Sequence, residues 1–168
     1  MFRHPFSIAV GLTVAGLIPF ILSGLFLLLD PLDSPVAIQV LISYGAVILS
    51  FVGAVHWGFA LRDTAHPLPE TAMSPALLGY ERQLLVFGIV PAIIGWLALV
   101  LMIHFDAPAL AVLFLLIGFF LAIVSETIGR GRGLVAANYL ILRWGVSIVV
   151  LVILLAVLFA VVSGMRMG

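Results

Sequence analysis

Polar residues in this chain gather in a few short clusters, and five long apolar stretches run between them. The stretches cover residues 6–29, 36–61, 84–104, 109–125 and 143–163. Spanning about 30 Å of hydrocarbon takes about 20 residues at 1.5 Å rise per residue, and each stretch meets this, the fourth only just. No strand-like alternation appears, and backbone groups in lipid must be satisfied within the segment, so helices are the expected spans. The pattern predicts an all-α fold: one domain, residues 1–168, built as a bundle of five transmembrane helices. The first stretch is too long for the apolar core of a signal peptide, and no small-residue cleavage site follows it.

The separators differ in kind. "DPLDSP" (Asp30 to Pro35) and "FDAP" (Phe105 to Pro108) are tight turns. Asp63 to Gln83 is a longer loop in which Pro67, Pro69 and Pro75 argue against one continuous helix. Its end, "SPALLGYERQ", has a capping serine and an early proline, which suits a short surface helix. Glu126 to Leu142 holds "GRGRG", a turn, after which the fifth helix is expected to begin early, at the membrane surface.

Composition sharpens the class. Hydrophobic residues make up 65% and charged residues 8% of the chain. A soluble domain carries about 25% charged residues. The absence of cysteine excludes disulfides, iron–sulfur clusters and thiolate catalysis. Net charge is zero with no basic tract, so nucleic acid is not an expected partner. All basic residues are arginine, and they sort by side. Arg3, Arg62, Arg82, Arg130, Arg132 and Arg143 fall on the face of the N-terminus, and Arg166 on the other, with Asp30, Asp33 and Asp106. By the positive-inside rule the N-terminus is expected in the cytoplasm and the C-terminus outside, in a bacterial cytoplasmic (inner) membrane.

Candidate chemistry sits at the arginine-rich end. His56 lies six residues before Arg62, about 9 Å from the inner end of the second helix. An ionisable side chain there turns to a partner or a cavity. It serves as a proton relay, a ligand contact or a metal ligand, or it is a neutral imidazole satisfied by a carbonyl or hydroxyl of the bundle; the last reading is favoured. Trp57 and Trp144 suit an interfacial belt, whereas Trp96 falls mid-span, where its indole N–H calls for a protein partner. Glu126 follows the fourth helix, and Tyr139 and Arg143 begin the fifth. Glu126 is expected to pair with Arg143 or Arg62, as an interfacial collar or as a polar vestibule under His56. Ala46, Ser50, Ala54 and Gly58 form a ridge of small residues at four-residue spacing, read as helix packing, with docking of another membrane protein as the alternative. Pro19, and Pro91 with Gly95, are candidate kinks. No metal-ligand spacing, cofactor motif or hydrolase motif is present, so no metal or cofactor is expected.

"YGAVILSFVGAVHWG" (Tyr44 to Gly58) closely resembles the hallmark of the transmembrane protein 69-like family, also called domain of unknown function 3429. "GLIPF" (Gly16 to Phe20), "PAIIGWLAL" (Pro91 to Leu99) and "NYLILR" (Asn138 to Arg143) extend the likeness along nearly the whole chain. The resemblance implies a small five-helix bacterial membrane protein related to a mitochondrial inner-membrane protein of animals, and it brings no activity or catalytic residues. The segment "AHPLPETAMSPALLGYE" is longer than the resemblance leads one to expect. Together these readings favour a non-catalytic membrane protein that packs with itself or with other subunits, as an accessory or assembly factor of an energy-transducing complex. The alternative is a small transporter or a binder of lipid, quinone or another hydrophobic ligand, with a cytoplasm-facing cavity at His56.

Overall fold

The computed structural model describes residues 5–29, 34–61, 75–131 and 137–164. Six helices form it: α1 (Pro5–Ala15), α2 (Ile18–Leu29), α3 (Ser34–Ala60), α4 (Pro75–Phe105), α5 (Pro108–Gly131) and α6 (Ala137–Val162). No strand occurs among the described residues. Five spans are long and apolar enough to cross a membrane: Ser7–Leu29, Pro35–Gly58, Gln83–Phe105, Pro108–Ile128 and Tyr139–Val162. This is an integral, multi-pass membrane protein, and the large apolar side chains exposed around the bundle face lipid.

The helix starts follow from proline chemistry. Pro5, Pro75 and Pro108 each stand first in a helix, where a missing N–H leaves no bond unmade. The first crossing is broken at Gly16–Leu17, just before Pro19, so it consists of α1 and α2 rather than one helix. Pro19 has no N–H to give the Ala15 carbonyl. The Tyr44 hydroxyl donates to the Gly16 carbonyl at 2.9 Å, so α3 supports the break. Pro91, by contrast, lies inside α4 without ending it.

Two helices extend past the apolar stretches. α4 starts at Pro75, so the "SPALLGYERQ" segment continues into the third crossing instead of forming a separate surface helix. α5 runs six residues beyond Ser125. Apolarity marks where lipid begins, and a helix need not stop there. The loop at 62–74 lies outside the described residues. At the opposite end α4 and α5 meet at Asp106, whose φ of 45° falls in the left-handed region that aspartate tolerates. The Ala107 N–H then closes on the Leu101 carbonyl at 3.1 Å.

α3 touches α2, α4 and α5, while α6 touches α5, α2 and α1. The core is a column of aliphatic side chains, including Leu41, Leu49, Val112, Leu115, Leu154 and Val157. Phe20 packs edge-on against Tyr44 (5.2 Å between centroids) and Phe119 (5.9 Å). α3 and α4 approach most closely. A Cβ on Gly53 would lie 2.5 Å from the Gly88 carbonyl oxygen, and one on Gly95 would lie 3.0 Å from the Ala46 carbonyl oxygen. The contact therefore steps by seven residues, Ala46 to Gly53 on α3 against Gly95 to Gly88 on α4. Seven-residue steps on both helices, running in opposite directions, are those of an antiparallel pair packed along a heptad seam. Of the four-residue ridge, Ala46 is buried and Ser50 partly so, but Ala54 and Gly58 face outward. A row of four-residue steps drifts around the helix relative to that seam, which is why its lower half leaves the interface.

Candidate functional site: a buried polar cluster at one end of the bundle

The end of α3, the start of α4, the end of α5 and the start of α6 come together, and nearly all the candidate polar residues meet there. His56 is buried at 1% exposure. Its Nε2 lies 2.8 Å from Ser125 Oγ on α5, and its Nδ1 faces the Gly53 carbonyl at 3.3 Å. Ser125 Oγ also lies 2.8 Å from the Ala122 carbonyl. A hydroxyl has one proton. The Gly53 carbonyl only accepts, so with the imidazole hydrogen on Nδ1 that bond forms and Nε2 accepts from Ser125; with the hydrogen on Nε2, His56 donates to Ser125 and Ser125 to Ala122. In both arrangements His56 ties α3 to the hydroxyl on α5.

Glu126, the next residue on α5, is also 1% exposed. Arg143 Nε donates to both carboxylate oxygens at 3.1 Å, and Nη2 reaches Oε1 at 3.1 Å. The Tyr139 phenol, one turn earlier on α6, hydrogen-bonds the same carboxylate. The pair is therefore buried inside the bundle, in contrast to a wet collar at the rim. Arg62, the other cation weighed for Glu126, lies outside the described residues. Trp57 donates its indole N–H to the Leu85 carbonyl at 3.1 Å, tying α3 to α4. Its ring fills the space a side chain on Gly88 would need. Trp144 donates to Thr127 Oγ1 at 3.3 Å, tying α6 to α5.

Sequence reasoning did not single out Ser125, Gly53 or Ser147, and it read Gly88 only as half of a four-residue small pair with Ala92. Ser125 carried a faint signal, as a hydroxyl at the depth of His56 and next to Glu126. The heptad spacing of Ala46–Gly53 and Gly88–Gly95 was also readable, but was hidden by the more regular four-residue ridge.

Two clefts flank the cluster. One, about 560 Å³, runs between α4 and α5 and is lined by Phe87, Pro91, Leu121 and Ser125. The other, about 450 Å³, lies among α1–α2, α3 and α6, and reaches Tyr139 and Arg143. His56 lines neither cleft. A serine in hydrogen-bond contact with a histidine invites a hydrolytic reading. Against it, both residues sit inside long helices whose backbone N–H groups are already bonded, so none is free to stabilise an oxyanion. No group of three or more potential metal ligands occurs among the described residues.

Comparison with known proteins places this arrangement in context. A family described as "Protein of unknown function (DUF3429)" matches residues 6–159. Transmembrane protein 69 of Xenopus tropicalis is 35% identical over 91 residues, covering 54% of this chain and 32% of its own length. Transmembrane protein 69 of Mus musculus is 34% identical over 77 residues, covering 43% of this chain and 31% of its own length. The chain thus spans about a third of the length of these curated relatives. No solved structure matches.

Proposed function

The chain belongs to the DUF3429 family, and from that premise we propose that it is a non-catalytic membrane protein that docks against itself or other membrane subunits as an accessory or assembly factor. In this reading it resides in a bacterial inner membrane with its arginine-rich end in the cytoplasm. The family resemblance adds the expectation that the complex served is an energy-transducing one.

One observation carries the docking reading. Trp96 lies near the middle of the Gln83–Phe105 span and is 61% exposed. Its indole N–H has no partner among the described residues. Tryptophan at the membrane surface can reach water or headgroups. At mid-depth only another protein group can accept that hydrogen, and leaving it unpaired in hydrocarbon costs about 1–3 kcal/mol. A neighbouring helix offering a carbonyl or hydroxyl satisfies it. The non-catalytic half of the reading draws support from the cluster itself. Tyr44, Gly45, Gly53, His56 and Trp57, all within the hallmark stretch, each contact another helix. A ligand-binding role has the cleft beside Arg143 in its favour.

The test places a photo-crosslinking amino acid at position 96, with position 152 on the lipid-facing side of α6 as control, followed by gentle solubilisation. A discrete protein adduct at 96, weakened by added competitor subunit and absent at 152, is expected. Lipid adducts alone at both positions, with a monomeric protein in mild detergent, would overturn the proposal.

A further inference from the structure

The cleft among α1–α2, α3 and α6 has features that the docking reading does not use. Its volume, about 450 Å³, falls in the range of small-molecule sites. Phe20, Phe51 and Phe119 give it an apolar body, and Arg143 and Tyr139 stand at one end. The break at Gly16 lies on its wall, and α1, none of whose described side chains is buried, packs against α6. The cleft thus lies beside the broken first crossing.

The polar end is where the observation is sharpest. Four polar or charged side chains are buried among the described residues: Ser23, His56, Glu126 and Ser147. Ser23 bonds the Pro19 carbonyl, His56 bonds Ser125, and Glu126 bonds Arg143. Ser147, 5% exposed, alone has no hydrogen bond among the described residues, and it lines the cleft. Helical hydroxyls normally fold back on the carbonyl one turn earlier, as those of Thr13, Ser50, Thr127 and Ser163 do here. Ser147 sits one turn after Arg143 on the same face of α6. Arg143 uses Nε–H and one Nη2 hydrogen on Glu126, which leaves three of its five donors. Donors one turn apart, at the head of an apolar slot, are the complement of an amphiphile whose head carries carbonyl acceptors.

We propose that this cleft binds a lipid-soluble molecule with a carbonyl-bearing head, its head accepting hydrogen bonds from Ser147 and Arg143 and its apolar chain lying between α1 and α3. The Glu126–Arg143 pair is neutral overall, so the site favours an uncharged head group, an ester or a quinone carbonyl, over a bare anion. The site opens to lipid beside α1, which admits the ligand from within the bilayer. The inference is independent of the docking role at Trp96.

Native mass spectrometry and equilibrium binding on the purified full chain in mild detergent test it, with dioleoylphosphatidylcholine and decylubiquinone as the two probes. Saturable binding of one probe at one molecule per chain is expected. The probe that binds identifies the source as a glycerolipid ester or a quinone. Ser147→Ala removes a hydroxyl that has no partner among the described residues, so it should leave thermal stability unchanged and weaken binding about five- to tenfold, the loss of one hydrogen bond. Thr13→Trp, which fills the cleft from α1, should abolish binding with the bundle intact. Saturable binding of neither probe, or binding that is unaffected by both variants, overturns the proposal.

Discussion

Replacing Arg143 by methionine is expected to destabilise the bundle far more than replacing Arg143 and Glu126 together. The Glu126 side chain is fully buried and that of Arg143 only 13% exposed, with contacts of 3.1 Å. At that separation the attraction is about 5 kcal/mol for an effective dielectric near 20. Bringing both charges out of water opposes most of it, so the pair adds little net stability. Removing one member is different, because it leaves a buried charge with no counter-charge. The expected cost of Arg143→Met is about 3–5 kcal/mol. For a chain of this size that corresponds to a fall in Tm of about 6–20 °C. Glu126→Leu alone should cost a similar amount. The double variant Glu126→Leu/Arg143→Met should recover most of the loss, to within about 1 kcal/mol of the parent or better. Reversible unfolding in mixed micelles, followed by circular dichroism, measures all four corners of the cycle. A single variant within about 0.5 kcal/mol of the parent, or costs that simply add, would refute the buried-pair reasoning and return Glu126 and Arg143 to a solvated rim.

Three further expectations follow from the same geometry. Gly53→Val should destabilise by about 3 kcal/mol or more, because its side chain would meet the Gly88 backbone, whereas Gly58→Ala, with open space around it, should be neutral or stabilising by up to about 1 kcal/mol; paired melting curves separate them. His56→Ala should cost about 2–4 kcal/mol through the lost Ser125 bond and the cavity left behind, yet leave the crosslink at position 96 intact once the protein is folded. A fluorophosphonate probe should fail to label Ser125 in the native protein; labelling lost in both Ser125→Ala and His56→Ala would revive the hydrolytic reading.

The crossings were legible in the sequence because lipid imposes a length and a composition that few other constraints resemble. The depth of each polar residue was legible too: counting from Arg62 put His56 near one end, and Glu126 and Arg143 near the same level. What could not be read was the rotation of each helix about its axis. Segments that are apolar all round present no periodic face, so nothing local says whether Ala54 or Gly53 turns toward α4, or that Ser125 rather than a cavity meets His56. The break at Gly16 shows a related limit. Pro19 signals a weakness in the first crossing, but the place where it opens is set by a partner, the Tyr44 hydroxyl on α3, 28 residues away. Ser147 was invisible for a third reason: a serine in an apolar helix usually bonds its own backbone, and only the structure shows that this one does not.

The proposed arrangement is five crossings with the polar cluster toward the cytoplasm, and the cysteine-free sequence allows a direct test. Single cysteines at Leu61, Ala107, Gly131 and Ser163 are treated with a membrane-impermeant maleimide in spheroplasts, before and after permeabilisation. Labelling of 107 and 163 in sealed spheroplasts, with 61 and 131 reacting only after permeabilisation, is the predicted result. Reaction of 61 and 131 from outside would reverse the orientation, and a split between 107 and 163 would contradict the five-crossing bundle itself.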